Sequence, residues 1–329
     1  MPVMVSETLL GQRVVVRYRR PEPGEQPPLS DVVGVLTGLT DDVVTLATRT
    51  GTRTVPRAAV VAARAVAPSR AETLELERIS RLGWRAATRT EQDGWLLYAD
   101  QGWTGRANSA LPLATPTRPL DEQLAGVERF YAERGLTAQI QVPMPARELL
   151  DAELARRGWT RQRPTVTLTR SLTGRAAGEG DDLDPPTDEA ASDGLRLATE
   201  PDDDWVAAYH YRGGRLPDFA RDLLTRHELV TFAAIRRDGR TVTIGRGVVD
   251  EGWLGITAVE VDPAYRRQGL AVGIMRGLLG WGRGHGAHDC YLQVDETNTA
   301  ALALYARLGF TEHHRYHYRL GADRERRPD

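Results

Sequence analysis

The 329-residue sequence contains no lysine, so all 43 of its Lys and Arg residues are arginines. Acetylation of the protein on its own lysine side chains is therefore excluded. A single cysteine, Cys290, rules out an internal disulfide and a cysteine-rich metal site, and we expect no bound metal. The formal net charge is −2, which provides no overall positive field for nucleic acid, so no nucleic-acid partner is expected.

Long apolar runs are also missing. No stretch approaches the ~20 consecutive apolar residues that a membrane-spanning helix needs. The first residues, MPVMVSETLLGQRVVV, lack the charged and then apolar layout of a signal peptide. We therefore expect no membrane partner and a cytoplasmic location, whereas nothing in the sequence indicates an oligomeric state.

The most informative stretch is residues 252–284, which predicts a strand, a turn and a helix in succession. The apolar run from Trp253 to Val261 predicts a buried strand, and Asp262-Pro263 is a turn signal. A basic glycine turn, Arg266-Arg267-Gln268-Gly269, comes next. The apolar stretch that begins at Leu270 is long enough for a helix.

This order of elements suits the binding of a diphosphate. It places several backbone N–H groups and the positive end of a helix dipole around one point. Gly269 lets the backbone approach an anion closely, and the small side chain of Ala271 lets the start of the helix pack tightly.

The string V-D-P-x-Y-R-R-Q-G-L-A resembles the acetyl-coenzyme A loop of the GNAT superfamily of N-acetyltransferases, whose pattern is Gln/Arg-x-x-Gly-x-Gly/Ala. Arg266, Gly269 and Ala271 occupy the three defined positions. The resemblance implies acetyl-CoA as co-substrate. The acetyl-CoA contacts that it predicts are Val259, Val261, Arg266, Arg267, Gln268, Gly269, Leu270, Ala271, Val272 and, from the block described next, Asn298.

A second block supports the same resemblance. The predicted strand Cys290–Asp295 is followed by Asn298, Tyr305 and Leu308-Gly309-Phe310. This order is similar to the strand-Asn-helix-Tyr-Gly-Phe segment of the superfamily. It implies that Tyr305 protonates the leaving sulfur or donates a hydrogen bond to it, although packing on a helix face is the commoner fate of a tyrosine. Asn298 is also a candidate helix N-cap.

The general base is less clear from the sequence. In the ribosomal-protein alanine acetyltransferases of this superfamily, a glutamate five residues before the Asn is the base, and here that position is Gln293. Because a neutral amide cannot take a proton, the base is a water or another side chain. Glu260 is the leading carboxylate, with a salt-bridged strand residue as the alternative. A bulge along Thr257–Val261 would direct a backbone N–H at the thioester carbonyl. Cys290 is expected to be a buried thiol.

Substrate contacts are expected in two places besides Gln293. One is the segment from Ala208 to Arg215, and the other is Arg106-Ala-Asn-Ser109, where the two halves described below would face each other. Arginines there would suit a carboxylate, although each could equally be a solvated surface charge. The candidates in the first segment are Tyr209, Tyr211, Arg212 and Arg215.

The chain preceding this region shows a small β unit and an internal repeat. Short strands are predicted at Val14–Tyr18, Val32–Leu39, Val43–Ala47, Thr52–Val55 and Val60–Val66, which is typical of an SH3-like or Sm-like barrel. We expect it to have a structural or interdomain role, because it lacks an aromatic cluster. Later, Ile140-Gln-Val142 to Trp159 parallels Leu292-Gln-Val294 to Phe310, but without counterparts of Asn298 and Tyr305.

The predicted fold class is α+β (mixed α/β), with tandem GNAT-like halves, the first degenerate and the second active, behind a small SH3-like β-barrel. The predicted boundaries are 1–68 for the barrel, 69–172 for the first half, 173–193 for an acidic disordered linker, 194–321 for the catalytic half and 322–329 for a polar tail.

This layout resembles an actinobacterial family of GNAT proteins that includes N-acetylglutamate synthases. The expected activity is acetylation of the α-amine of a small amino acid, with glutamate as first candidate, by direct attack in a ternary complex. Two alternatives stay open: acetylation of a protein N-terminus or an antibiotic-like amine, and a non-catalytic acyl-CoA sensor.

Overall fold

The structure, a computed structural model, describes residues 5–20, 27–48, 50–172, 194–210 and 213–321. The predicted linker at 173–193 and the tail at 322–329 lie outside these residues, as do Tyr211 and Arg212. The described chain forms two sheets, one of five strands and one of eleven.

The five-stranded sheet contains the strands predicted for the first 68 residues. They are β1 Arg13–Arg19, β2 Leu29–Leu39, β3 Val43–Thr48, β4 Gly51–Pro56 and β5 Val60–Ala65, in the order β4-β3-β2-β1-β5. Buried residues alternate along β1, β2 and β3, and Val14, Val16, Leu36 and Leu46 are fully enclosed. The period-two pattern therefore predicted these strands correctly, because one face of each is the core face.

The second sheet contains the strands of both copies of the internal repeat. In the described residues its strands are β6 Thr88–Gln92, β7 Trp95–Ala99, β8 Ala110–Pro112, β9 Gln139–Met144, β10 Thr160–Ser171, β11 Leu195–Ala198, β12 Val230–Arg237, β13 Arg240–Asp250, β14 Trp253–Val261, β15 Asp289–Asp295 and β16 Thr311–Leu320. The helices that accompany them are α1 Arg70–Leu82, α2 Leu120–Ala132, α3 Glu148–Arg156, α4 Asp203–Ala208, α5 Ala220–Thr225, α6 Leu270–Gly284 and α7 Thr299–Arg307.

The two copies exchange their last strands. The sheet order is β11-β12-β13-β14-β15-β10-β16-β9-β8-β7-β6, so β10 of the first copy pairs with β15 of the second, and β16 pairs with β9. The exchanged strands also pair with each other, antiparallel. The two halves are therefore continuous through one sheet.

The sequence from Trp103 to Leu111 also predicts a strand, and this prediction is wrong for most of the segment. Only Ala110–Pro112 forms a strand, after a 3-10 turn at Gly105–Ala107. The side chain of Asn108 explains the turn, because its Oδ1 accepts hydrogen bonds from the N–H groups of Asp100 (2.7 Å) and Gly102 (2.9 Å). Such bonds offer the backbone an alternative to a strand ladder. Strands β6, β11, β12 and β13 were not predicted.

A buried carboxylate, Glu77 of α1, lies at the junction of the two copies and is completely inaccessible to solvent. His314 Nε2 of β16 lies 2.7 Å from Oε1, and Thr167 of β10 donates at 3.2 Å. The amides of Gln141 and Gln293, which are equivalent positions of the repeat, both donate to the same carboxylate. Each of the four central strands thus sends one side chain to Glu77.

These partners decide the charge state of Glu77. Burial alone would raise the pKa of its carboxyl, but the hydrogen bond and charge of His314, together with Arg81 and Thr167, hold the pKa below its usual value. Arg81 also donates to Gln141 Oε1 (2.7 Å) and to Ser109 Oγ (2.6 Å). The carboxylate is therefore ionised and fully hydrogen-bonded, which is the condition for burying a charge without a large loss of stability.

We predict that Glu77→Gln lowers the free energy of unfolding by about 3–5 kcal/mol, because donors from four strands lose a charged acceptor. Glu75→Gln on the same helix is the control, since Glu75 makes an exposed pair with Arg78 that is worth about 0–1 kcal/mol. Urea unfolding followed by tryptophan fluorescence measures both. Equal losses in the two variants would contradict the role of Glu77.

Candidate active site

The sheet opens into a fork between β14 and β15. These strands pair in parallel from Trp253 with Asp289 to Ile256 with Leu292, and in the described chain the pairing goes no further. Beyond this point we call the two strands the prongs of the fork. Each prong pairs with a neighbouring strand on its outer side, β14 with β13 and β15 with β10. The facing edges of Thr257–Val261 and Gln293–Asp295 therefore border a gap.

The expected bulge is present on the β14 prong. The pairing of β13 with β14 shifts between Ile244 and Arg246, and Ala258 has a left-handed φ of 56°. A bulge leaves one residue of the strand out of the ladder and turns its backbone groups aside. In addition, Thr257 Oγ1 is buried and has no partner within the described residues. The prong thus offers polar groups to a molecule in the fork.

The basic turn lies between β14 and α6. Arg267 and Gly269 have left-handed φ values of 61° and 78°, and Gly269 is the N-cap of α6. A Cβ at Gly269 would meet nothing within 4 Å, so the glycine is required for its conformation and its open side is available to a ligand. The first-turn amides of Leu270, Ala271 and Val272 have no acceptor inside the helix.

The remaining predicted cofactor residues surround the same turn. Arg266 to Gly269 are exposed, and Arg266 Nε reaches Val261 O at 3.4 Å. Val259 and Val261 pack partly buried against the core of the second half. A basic, exposed turn at the start of a helix is suited to binding a diphosphate. The unpartnered Thr257 hydroxyl could donate a hydrogen bond to the carbonyl group of an acyl thioester. The residues present therefore fit acetyl-CoA.

Tyr305 projects from α7 and is 7% exposed, in edge-to-face contact with Phe310. Burial raises the pKa of its phenol to about 12, with a smaller contribution from Cys290. The phenol is therefore protonated at neutral pH and able to donate a hydrogen bond. Asn298 is the N-cap of α7, since its Oδ1 accepts from the N–H of Ala301 at 3.1 Å. Its contact with a cofactor stays a prediction.

Cys290 lies on β15 and is completely buried. Burial raises the pKa of its thiol well above the ordinary value, so the thiolate is disfavoured. The expectation of a buried, unreactive thiol agrees with this position.

Glu260 of the β14 prong contacts the segment that was expected to hold the acceptor. Its carboxylate accepts hydrogen bonds from the backbone N–H of His210 at 3.0 and 3.1 Å, and His210 Nδ1 lies 3.6 Å from Oε2. Burial raises the pKa of the carboxyl, and the bonds from His210 only partly offset this effect. Glu260 is therefore a stronger base than an ordinary glutamate, and it lies on a wall of the fork.

On the other prong, Gln293 is held by residues of both halves. Arg106 Nε donates to Gln293 Oε1 at 2.8 Å, and Tyr316 OH lies 3.2 Å from the same oxygen. Its amide NH₂ donates to Glu77. Arg106 in turn stacks on the ring of Trp84, 5.8 Å from its centroid. The first half therefore contributes an arginine beside the fork.

The other predicted acceptor residues are less close together. Tyr209 is 6% exposed, because it packs between Trp103 of the first half (6.2 Å between ring centroids) and Trp205 (5.6 Å). Arg215 is exposed. Tyr211 and Arg212 lie outside the described residues. Asn108 and Ser109 are buried and bond to their own loop and to Arg81.

Four residues of this network were not predicted from the sequence: Glu77, Arg81, His314 and Tyr316. One signal was present, because Thr73, Glu77, Ser80 and Arg81 recur at helical spacing on the buried face of α1. Polar residues on a core face indicate an internal network. The partners of that network lie on distant strands, and no local pattern identifies them.

Neither a metal cluster nor a membrane-spanning helix is found in the chain that the structure describes. No group of three or more His, Cys, Asp or Glu residues there could hold a metal ion. None of the described helices combines the length and the apolar character needed to cross a membrane.

Comparison with known proteins agrees with the fold. A GCN5-related N-acetyltransferase from Kribbella flavida superposes with a TM-score of 0.56 at 16% identity, over 77% of this chain and 97% of that structure. At this identity the match shows the fold alone. The fold and the sequence relatives together define a GNAT-type, acetyl-CoA-dependent N-acetyltransferase.

The sequence matches identify a particular family within this superfamily. Residues 70–319 match the family model described as "Probable histone acetyltransferase Rv0428c C-terminal", and residues 8–64 match "Rv0428c N-terminal Sm-like domain". The "Probable histone acetyltransferase Rv0428c" of Mycobacterium tuberculosis is 34% identical over 331 residues, 96% of this chain and 96% of that protein. The chain belongs to this family, and its N-terminal unit is Sm-like rather than SH3-like.

A shorter match covers less than a third of the chain. The protein named "N-alpha-acetyltransferase RimI" of Mycobacterium tuberculosis is 39% identical over 98 residues, which is 29% of this chain and 55% of that protein.

We predict that Gly269→Asp weakens acetyl-CoA binding at least about tenfold more than Gly269→Asn does, a difference of ~1.4 kcal/mol. Both residues tolerate the left-handed conformation, so the pair isolates the negative charge beside the diphosphate. Isothermal titration calorimetry measures the affinities. Gly284→Asp, at the exposed far end of α6, is the control. Equal affinities of the Asp and Asn variants would show that the diphosphate binds elsewhere.

Proposed function

We propose that this N-acetyltransferase acetylates the α-amine of a small amino acid that carries a side-chain carboxylate, with glutamate as first candidate, by direct attack in a ternary complex. The observation that carries this proposal is Glu260. It is a partly buried carboxylate with a raised pKa, on the fork and in contact with the acceptor segment at His210.

In the proposed reaction Glu260 takes the proton from the attacking amine. An α-amine titrates at ~7.7–8.0 and a lysine amine near ~10.4, so an α-amine needs only modest help from a carboxylate. The neutral Gln293 cannot take this role. As the C–N bond forms, N–H groups of the bulged segment Thr257–Val261 stabilise the negative charge that develops on the carbonyl oxygen.

Tyr305 assists the departure of the sulfur as the C–S bond breaks. A thiol titrates near ~8.5, well below the pKa of about 12 that burial imposes on Tyr305. Complete proton transfer from the phenol to the thiolate is therefore uphill. The hydroxyl instead donates a hydrogen bond, which strengthens as negative charge collects on the sulfur.

Binding of the acceptor's acid groups is assigned to arginines. Arg106 already donates to Gln293 at the fork, and it approaches from the first half. Arg212 and Arg215 belong to the same segment as His210, whose backbone N–H contacts Glu260, and Tyr211 completes the proposed set with Gln293. A guanidinium can bind a carboxylate through two parallel hydrogen bonds, so these residues suit an amino acid with two acid groups.

A second candidate acceptor is a protein amine. The names of two relatives favour it, since one is called a probable histone acetyltransferase and another an N-alpha-acetyltransferase. A peptide N-terminus presents the same α-amine and would use the same Glu260 and Tyr305. The two candidates therefore differ in how the acceptor is held.

An acceptor screen separates them. We expect thiol release from acetyl-CoA with millimolar glutamate, acetylglutamate as the product by mass spectrometry, and weaker activity with glutamine, which lacks the second carboxylate. Peptides with free N-termini, peptides blocked except at lysine, and aminoglycosides form the other arms. Acetylated peptide without acetylglutamate would overturn the amino-acid assignment and leave the enzyme class intact.

The pH dependence tests the base. With the acceptor found in that screen, we expect kcat/KM to fall at acid pH, because protonation of Glu260 removes the base. Since burial raises the pKa of Glu260, this fall should begin at a higher pH than it would with an ordinary carboxyl group. Glu260→Gln should lower kcat/KM by roughly 10²-fold or more and abolish this limb. The control is Glu251→Gln, at an exposed turn where Glu251 pairs with Arg78. An unchanged profile in Glu260→Gln would assign the base to a water or another group.

A further inference from the structure

The first half contains a cleft of about 560 Å³ that the proposed reaction does not use. Its lining includes Ala114, after β8, Leu120, at the start of α2, Pro145, after β9, and Glu148, at the start of α3. In the repeat these elements correspond to β14, α6, β15 and α7. The cleft is therefore the first half's counterpart of the fork.

The start of α2 disfavours a diphosphate in this cleft. Its N-cap is Pro119, which has no N–H, and its first turn carries Asp121 and Glu122. The first turn of α6, by contrast, has no acid and begins at Gly269. Negative side chains at a helix start occupy the favourable position of an anion and repel a diphosphate.

Three residues that line the cleft carry buried polar atoms without partners in the described chain: Arg147 Nη2, Trp95 Nε1 and Thr73 Oγ1. The residues are 5%, 0% and 1% exposed, and they come from the start of α3, from β7 and from α1. All three groups can donate hydrogen bonds. Buried donors are normally satisfied, so three of them around one cleft indicate that a ligand supplies the acceptor.

The charge of Arg147 indicates the kind of acceptor. Its Nε donates to the carbonyl of Pro112 at 2.7 Å, and no carboxylate of the described residues pairs with it. Burial, with a smaller effect of Arg70, lowers the pKa of its guanidinium to about 10, so the residue is still charged. A buried cation without a counter-ion is destabilising, and an anion would relieve this.

The rest of the lining limits the anion's size and charge. Pro68, Leu120, Leu149 and Leu150 supply apolar surface, and Leu149 is 84% exposed. The acids of the lining are Glu148 and Glu153, of which Glu153 pairs with Arg156 and Arg157, and the other two arginines of the lining, Arg70 and Arg118, are exposed. Apolar walls and a single buried guanidinium suit one negative charge on an apolar body.

We propose that this cleft binds a small monocarboxylate with an apolar body, and that the guanidinium of Arg147 is the principal partner of the carboxylate. The indole of Trp95 and the hydroxyl of Thr73 offer further donors. The site is separate from the fork and does not depend on the identity of the acetyl acceptor.

Calorimetry on the full chain without acetyl-CoA tests the proposal, with hexanoate as probe. We expect hexanoate to bind at one saturable site and not to be displaced by coenzyme A. Hexanamide should bind about tenfold or more weakly than hexanoate, because the charged hydrogen bond is lost. Equal binding of hexanamide, stronger binding of inorganic phosphate, displacement by coenzyme A, or no binding of hexanoate would each overturn it.

Two variants locate the site. Arg147→Met should weaken hexanoate binding roughly ten- to hundredfold, and Thr73→Val, which keeps the volume of the side chain, should weaken it less. Arg129→Met, on the exposed face of α2 and outside the lining, is the control. If Arg147→Met does not fold, Thr73→Val and the hexanamide comparison decide the question. Unchanged affinity in Arg147→Met, or in Thr73→Val where Arg147→Met does not fold, would contradict the proposal.

Discussion

The buried carboxylate of Glu77 is the interaction on which the arrangement of the two halves depends. It lies on α1 and is bonded from four strands, two from each copy of the repeat. A buried charge that loses its partners is strongly destabilising, so these strands are required to keep their register around it. Because Gln293 is one of the partners, the same network orients the β15 prong of the fork.

The exchange of β10 and β16 has a consequence for the active site. A fork needs two prongs that are fixed on their outer sides and separated on their inner sides. Strand β10 of the first copy fixes β15, and Arg106 of the first copy reaches Gln293. The first half is thus part of the structure around the fork, although its own sequence has a leucine, Leu154, where the second has Tyr305. Leu154 is fully buried and serves packing.

Patterns within one element predicted much of the fold. The strands of the N-terminal unit, β14, α6, β15 and α7 follow from apolar periodicity, turn residues and caps, which all act over a few residues. The Gly269 turn was predicted for the same reason. The bond between Arg106 and Gln293 joins residues 187 positions apart, and the exchanged strands also pair with strands that are far away in the sequence. Such contacts depend on topology, which periodicity does not encode. Glu77 was missed because an acid on an amphipathic helix is expected to face solvent.

A crystal structure with acetyl-CoA would show whether one fork of this tandem fold carries out acetyl transfer. We expect the diphosphate at the Gly269 turn, the thioester between Thr257–Val261 and Gln293, and the sulfur within hydrogen-bonding distance of the Tyr305 hydroxyl. Acetyl-CoA bound in the cleft of the first half, or a sulfur far from Tyr305, would contradict it.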